Sequence, residues 1–191
     1  MRDGGVLAAE VVARAAALGV RIAAAESLTG GLLSAEIVSV PGASRVFSGG
    51  VVAYDTGLKH TLLGVDGSLL LKRGPVDGEV ARQMAAGVRL ACAVRGGGNV
   101  ADAGVVAADV GIATTGVAGP APDPQSGQPA GTVWLGVSSR LGDRAVLLPA
   151  AGLDRPGVRE ASVTGALELV LEELEALAAS SHSVSLENPE N

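Results

Sequence analysis

Histidine occurs only twice in this chain of 191 residues, cysteine once, and tryptophan, tyrosine and phenylalanine once each. With only His60 and His182 available, the latter in a polar C-terminal stretch, a histidine-centred triad is not the chemistry to expect. The spacings CxxC, HExxH, GxSxG and GxxxxGK[ST] are also missing. Cys92 has no second cysteine for an internal disulfide, and its apolar setting in AAGVRLACAV reads as a structural thiol on a helix. The net charge is −6, from 14 Lys+Arg against 20 Asp+Glu. Without a basic cluster or an aromatic stacking array, a nucleic-acid-binding surface is not expected. No carboxylates are spaced as metal ligands, so neither a metal nor a cofactor is expected. Apolar runs are broken by glycine or charge before membrane-spanning length, and the N-terminus lacks the pattern of a secretory signal. From these absences a soluble, cytoplasmic protein with no membrane association is the expectation.

What is present is an alternation of helical and strand patterns. Apolar residues recur at helical spacing over 6–18, and Gly19 supplies a stop. VRIAAAES reads as a buried strand, TGG as a tight loop and LLSAEIVSV as a helix. SGGVVAYDT follows as a second strand, LKHTLLGV as a short helix closed at Gly64, and 65–77 as a loop. Asp77 and Glu79 open a long helix through DGEVARQMAAGVRLACAV. GGGNVADAGVVAA reads as a flexible insertion, DVGIATTGVAGP as a strand ending in a glycine loop, and GTVWLGVSS with RAVLLPA as a hairpin. A closing amphipathic helix spans 155–179, and the polar residues 180–191 read as a disordered tail. The expected architecture is one domain over 1–179, a three-layer α/β/α sandwich around a mostly parallel or mixed sheet.

Open α/β sheets build ligand sites where strands end. Three segments put small and hydroxylated residues at such places: AAAESLTGG, GASRVFSGGVVAYDTGLK and GIATTGVAGP. In the first, Glu26, Ser27 and Thr29 precede Gly30 and Gly31, an arrangement in which hydroxyls and backbone N–H groups hold a phosphate or carboxylate. Thr114, Thr115, Gly116 and Gly119 form a second loop of that kind. The same residues also serve as ordinary caps and turn glycines. In the middle segment, Ser44, Tyr54 and Lys59 are a candidate nucleophile, hydroxyl relay and base, since a desolvated lysine loses its proton near neutral pH. Spacing alone equally allows a turn cap, a half-buried strand residue and a solvated helix residue.

Taken in order, AESLTGG, VPGASRVFSGGVVAYDTGLKHTLLGV, GPVDGEVARQMAAG, GIATTGVAGP and PAGTVWLGV resemble the successive signatures of the CinA C-terminal family over nearly the whole chain. The resemblance implies an α/β/α fold and hydrolysis of the carboxamide of nicotinamide mononucleotide to nicotinate mononucleotide and ammonia, without a metal. By position it implies Ser44 as nucleophile, Lys59 as general base and Tyr54 as hydrogen-bonding partner. Main-chain N–H groups near Gly49 and Gly50 are our inference for the oxyanion site. Ser27, Thr29, Gly30 and Gly31, with Thr115 and Gly116, would surround ribose and phosphate, and Arg155 or Arg159 would bind the phosphate. The family's frequent self-association makes a homo-oligomer the expected assembly. A module that binds nucleotides or regulates a partner without catalysis, and an amidase for another small amide, are the alternatives. Three features depart from the family pattern: YDT where many members have Tyr-Ser-Asn, APDPQSGQPA after GVAGP, and the GGGNVADAGVVAA insertion.

Overall fold

A computed structural model describes residues 3–95 and 104–186. Its first helix, α1 (Gly4–Leu18), begins where the Asp3 carboxylate accepts the N–H groups of Gly5 and Val6. It ends at Gly19 in the left-handed conformation that glycine adopts without strain. Then come β1 (Ile22–Glu26), α2 (Leu32–Val38), β2 (Phe47–Val52) and α3 (Thr56–Leu63), with Gly64 closing α3 as expected. The stretch expected to be a loop holds a further helix, α4 (Gly67–Arg73). Asp66 caps it by accepting the Ser68 N–H, and Lys72 and Arg73 sit favourably in its last turn. Next, α5 (Gly78–Ala91) starts at Asp77, whose side chain accepts the Glu79 N–H.

The two short strands β3 (Val94–Arg95) and β4 (Val105–Val106) pair antiparallel, so the end of the segment read as a flexible insertion is a strand, while residues 96–103 lie outside the described residues. The remaining strands are β5 (Val110–Gly116), β6 (Thr132–Ser139) and β7 (Gly142–Pro149), the last two forming the expected hairpin. The final helix, α6 (Arg155–Leu186), continues past the break expected at Ala179. Ser180 and Ser181 donate their hydroxyls back to the Leu177 carbonyl, and Arg140 donates to that same carbonyl and to both hydroxyls. Those bonds carry the helix through a serine-rich stretch that composition alone reads as tail. Residues 187–191 lie outside the described residues.

The main sheet has the order β2-β1-β5-β6-β7, with β2, β1 and β5 parallel and β6 and β7 added antiparallel. It is the mixed form of the expected α/β/α architecture. One face carries α1, α2 and α6 over a Leu, Ile and Val core that includes Leu7, Ile22, Leu33, Ile112 and Leu167, all fully buried. Truncating one such residue to alanine typically costs about 2–5 kcal/mol. The other face carries α3, α4 and α5 over the small sheet residues Ala23, Ala25 and Ala113, with Met84 of α5 packed against them. There α5 lies almost on the sheet backbone. A Cβ on Gly111 would sit 2.0 Å from the Ala85 carbonyl oxygen, and one on Gly136 would sit 2.1 Å from that of Ala81. Only glycine allows that approach. No described helix is long and apolar enough to cross a membrane.

The connections leaving β1 and β2 go to opposite faces, β1 into α2 and β2 into α3. Such a switch leaves a crevice at the carboxyl ends of the two strands.

Candidate active site

Ser27 is the first residue beyond the carboxyl end of β1, with its N–H held by the Thr114 carbonyl of the neighbouring β5 at 3.0 Å. After it the chain turns sharply through Gly30 and Gly31, both with positive φ, into α2. The fully buried Glu26 carboxylate shapes this turn. It accepts the backbone N–H groups of Gly31, Leu33 and Ser34 and the Ser34 hydroxyl. A buried carboxylate needs such donors, and the α2 N-terminus needs an acceptor. The expected anion site at this turn is therefore filled by the protein's own side chain.

Lys59, from α3, is fully buried. Its Nζ lies 3.0 Å from Ser27 Oγ and donates to the Ala53 carbonyl at 2.8 Å. Burial lowers its pKa to about 8, with the charges of Asp55 and Asp123 opposing the shift. An ordinary lysine is almost wholly protonated at pH 7, whereas a pKa of about 8 leaves about a tenth as free amine. A neutral amine at hydrogen-bond distance from a serine hydroxyl is a base placed to take its proton.

A pocket of about 210 Å³ opens over this pair, with Tyr54, Thr115, Gly116, Asp123 and Arg155 among its walls. Larger concavities exist, among them one between α1, α2 and α6 and one beside Trp134, but none of those described includes the Ser27–Lys59 pair. At the mouth, Arg155 donates to Tyr54 Oη at 3.2 Å and to the Gly119 carbonyl at 2.8 Å. Both Tyr54 and Arg155 are exposed there.

The structure regroups the residues singled out from the sequence. Lys59, Tyr54, Ser27, Thr115, Gly116 and Arg155 all line one pocket. Ser44 does not join them. It sits exposed in a single 3-10 turn, Ala43–Arg45, that precedes β2. Because β1 and β2 are parallel and in register from Ile22–Phe47 to Glu26–Val52, that turn lies at the opposite end of the sheet. At ~3.3 Å per residue the strand between places it roughly 17 Å from Ser27. Lys59 thus meets Ser27 in place of Ser44.

Gly49 and Gly50 are paired with Ala23 and Ala24 inside the sheet, below the pocket, and are not placed to bind an oxyanion there. A Cβ on Gly50 would sit 2.3 Å from Ser34 Oγ, so this glycine makes room for α2. Thr29 is buried with its hydroxyl against that of Thr114 at 2.8 Å. Gly31 gives its N–H to Glu26, and Gly30 faces Arg159 instead of the pocket. Arg159 donates to the carbonyls of Leu28 and Thr29, which braces the turn behind Ser27 and leaves Arg155 as the guanidinium at the mouth. Thr115 donates its hydroxyl to the Pro75 carbonyl. Asp123, from the APDPQSGQPA segment that departs from the family pattern, also lines the pocket. The sequence pattern does not single it out, although an acidic residue just after a strand-end glycine loop is a usable signal.

A family model for the CinA C-terminal domain matches residues 5–174. The chain is 43% identical over 168 residues to a CinA-like protein of Frankia casuarinae, covering 87% of this chain and 34% of that protein. It is 40% identical over 174 residues to a putative competence-damage inducible protein of Limosilactobacillus reuteri, covering 90% and 38%. It therefore spans about a third of the length of these curated relatives. Among solved structures, it resembles a CinA superfamily protein from Klebsiella pneumoniae with a TM-score of 0.78 and 27% identity, covering 92% of this chain and 99% of the other. The competence/damage inducible protein CihA from Agrobacterium tumefaciens gives a TM-score of 0.76 at 29% identity, covering 92% and 97%. Sequence, fold and the order of the motifs agree, and the chain belongs to the CinA C-terminal domain family.

Proposed function

We propose that this protein is a serine amidohydrolase in which Ser27 is the nucleophile and Lys59 the general base, acting on the carboxamide of nicotinamide mononucleotide. The observation that supports it most is the 3.0 Å contact between Ser27 Oγ and a buried lysine whose pKa is lowered to about 8. The pocket volume of about 210 Å³ is smaller than the ~300 Å³ at which sites enclosing a whole drug-sized ligand begin. It suits a ring with its carboxamide, while ribose and phosphate extend past the mouth to Arg155. A guanidinium suits phosphate because its planar donors engage two oxygens together.

In the reaction, Ser27 Oγ attacks the carboxamide carbon as its proton passes to the neutral Nζ of Lys59. The tetrahedral adduct collapses with cleavage of the C–N bond, and the leaving nitrogen takes that proton to depart as ammonia. An acyl ester remains on Ser27, with Lys59 again neutral. Water then attacks the ester carbonyl and gives a proton to Lys59. Collapse of the second adduct returns the proton to Ser27 Oγ and frees the carboxylate product.

The test is ammonia release from nicotinamide mononucleotide by the purified chain, with and without a chelator, alongside free nicotinamide and a simple aliphatic amide. Chelator-resistant release with preference for the nucleotide is expected. Release only from another amide would move the substrate, and nucleotide binding without ammonia from any amide would make the domain a binding module.

A further inference from the structure

We infer that Asp123 is a specificity residue that selects substrates whose carboxamide is borne on a cationic ring, a quaternary pyridinium in preference to a neutral one. This rests on the amidase reading and deepens it. The carboxylate lies in the wall of the pocket above Ser27 and Lys59, and is the one carboxylate among the described residues lining it. It is held there by its own loop. One carboxylate oxygen accepts both the backbone N–H of Ser126 at 2.7 Å and its hydroxyl at 2.6 Å. The loop is closed by the Asp123 N–H to the Gln128 carbonyl and the Gly127 N–H to the Asp123 carbonyl.

The placement gives the pocket a charge polarity. Arg155 marks the mouth, where it reaches Tyr54 and Gly119, and the negative charge of Asp123 is close enough to act on Lys59. A ligand that puts a phosphate on Arg155 and its carboxamide on Ser27 carries its ring between them, within the field of Asp123. When Lys59 is neutral, as a base must be, Arg155 is the one cation left among the described residues lining the pocket, and in the bound ligand it faces the phosphate. A pyridinium ring then gives Asp123 a cation to pair with, which a neutral ring does not. A carboxylate is a poor neighbour for the phosphate, which orients the ligand with its anionic end outward.

Nicotinamide mononucleotide and its reduced form share the carboxamide, ribose and phosphate and differ in ring charge, so they separate this role from general binding. Two readings are needed: kcat/KM for both compounds in the wild-type and Asp123→Asn proteins, and dissociation constants for both in Ser27→Ala with and without Asp123→Asn. Asparagine keeps an acceptor for the Ser126 N–H and removes the charge. The expected result is about a tenfold loss of affinity and of kcat/KM for the cationic nucleotide, with the reduced form changed less than about twofold. Comparing the two compounds cancels any change in Lys59, because it affects both. Equal losses for both compounds, or none for either, would overturn the inference while leaving the amidase reading intact. If the wild type releases no ammonia but binding keeps the charge-selective loss, the amidase reading fails and the ring-charge role stands. If neither nucleotide binds, both fail.

Discussion

Ser27 and Ser44 both lie in short turns, and only Ser27 stands beside a buried lysine in the wall of a pocket. The turn holding Ser27 follows a buried strand and faces a crevice where the chain departs to both faces of the sheet. The turn holding Ser44 precedes an edge strand and is exposed at the other end. Around Ser44 the polar groups brace backbone: Arg21 donates to the Arg45 carbonyl and to Ser48, and Asp109 accepts the Arg21 N–H. Around Ser27 a buried lysine is held at a pKa of about 8. The hydroxyls are chemically identical. Position in the sheet decides which one meets a buried lysine.

That contrast can be broken at several points. Lys59→Met keeps the bulk of the side chain and removes the base, so it is expected to lower kcat by about 10³-fold or more with the circular dichroism spectrum unchanged. At the mouth, Arg155→Ala should raise KM for the phosphorylated substrate about tenfold or more, with kcat less affected, whereas Arg45→Ala beside Ser44 should leave both within about twofold. The pH profile gives a finer reading. Neutral Lys59 is the active form, so kcat/KM should rise with pH and level off above about 8. Asp55 is the stronger of the two charges that oppose the burial effect on Lys59. Asp55→Asn keeps a side chain able to cap α3 while removing that charge, and should shift the rising limb to lower pH by a few tenths of a unit. A shift to higher pH would contradict the assignment of Lys59 as the titrating base.

Much of this fold is legible in the sequence because it is set locally. Asp3, Asp77 and Gly64 begin and end helices through contacts within a few residues, and the alternation in GTVWLGVSS and RAVLLPA fits a hairpin one side of which is buried. The helix at Gly67–Arg73 was obscured by surrounding turn residues, although Asp66 is an ordinary cap. The site was legible as a set of loops and not as a set of partners. Ser27 and Lys59 are 32 residues apart, and nothing in either local pattern says that α3 turns its lysine inward. The hydroxyls of Thr29 and Thr114, 85 residues apart, satisfy each other, and Glu26 takes the N–H groups that looked free for phosphate. Tertiary pairing removed candidates that composition could only nominate. In the structure Ser27 stands at the exit of a buried strand, a position that Ser44 lacks.

The most direct test compares ammonia release from nicotinamide mononucleotide by the wild-type, Ser27→Ala and Ser44→Ala proteins under identical conditions. The site described here predicts a loss of about 10³-fold or more for Ser27→Ala and less than about a twofold change for Ser44→Ala. Retained turnover in Ser27→Ala together with abolished turnover in Ser44→Ala would contradict it.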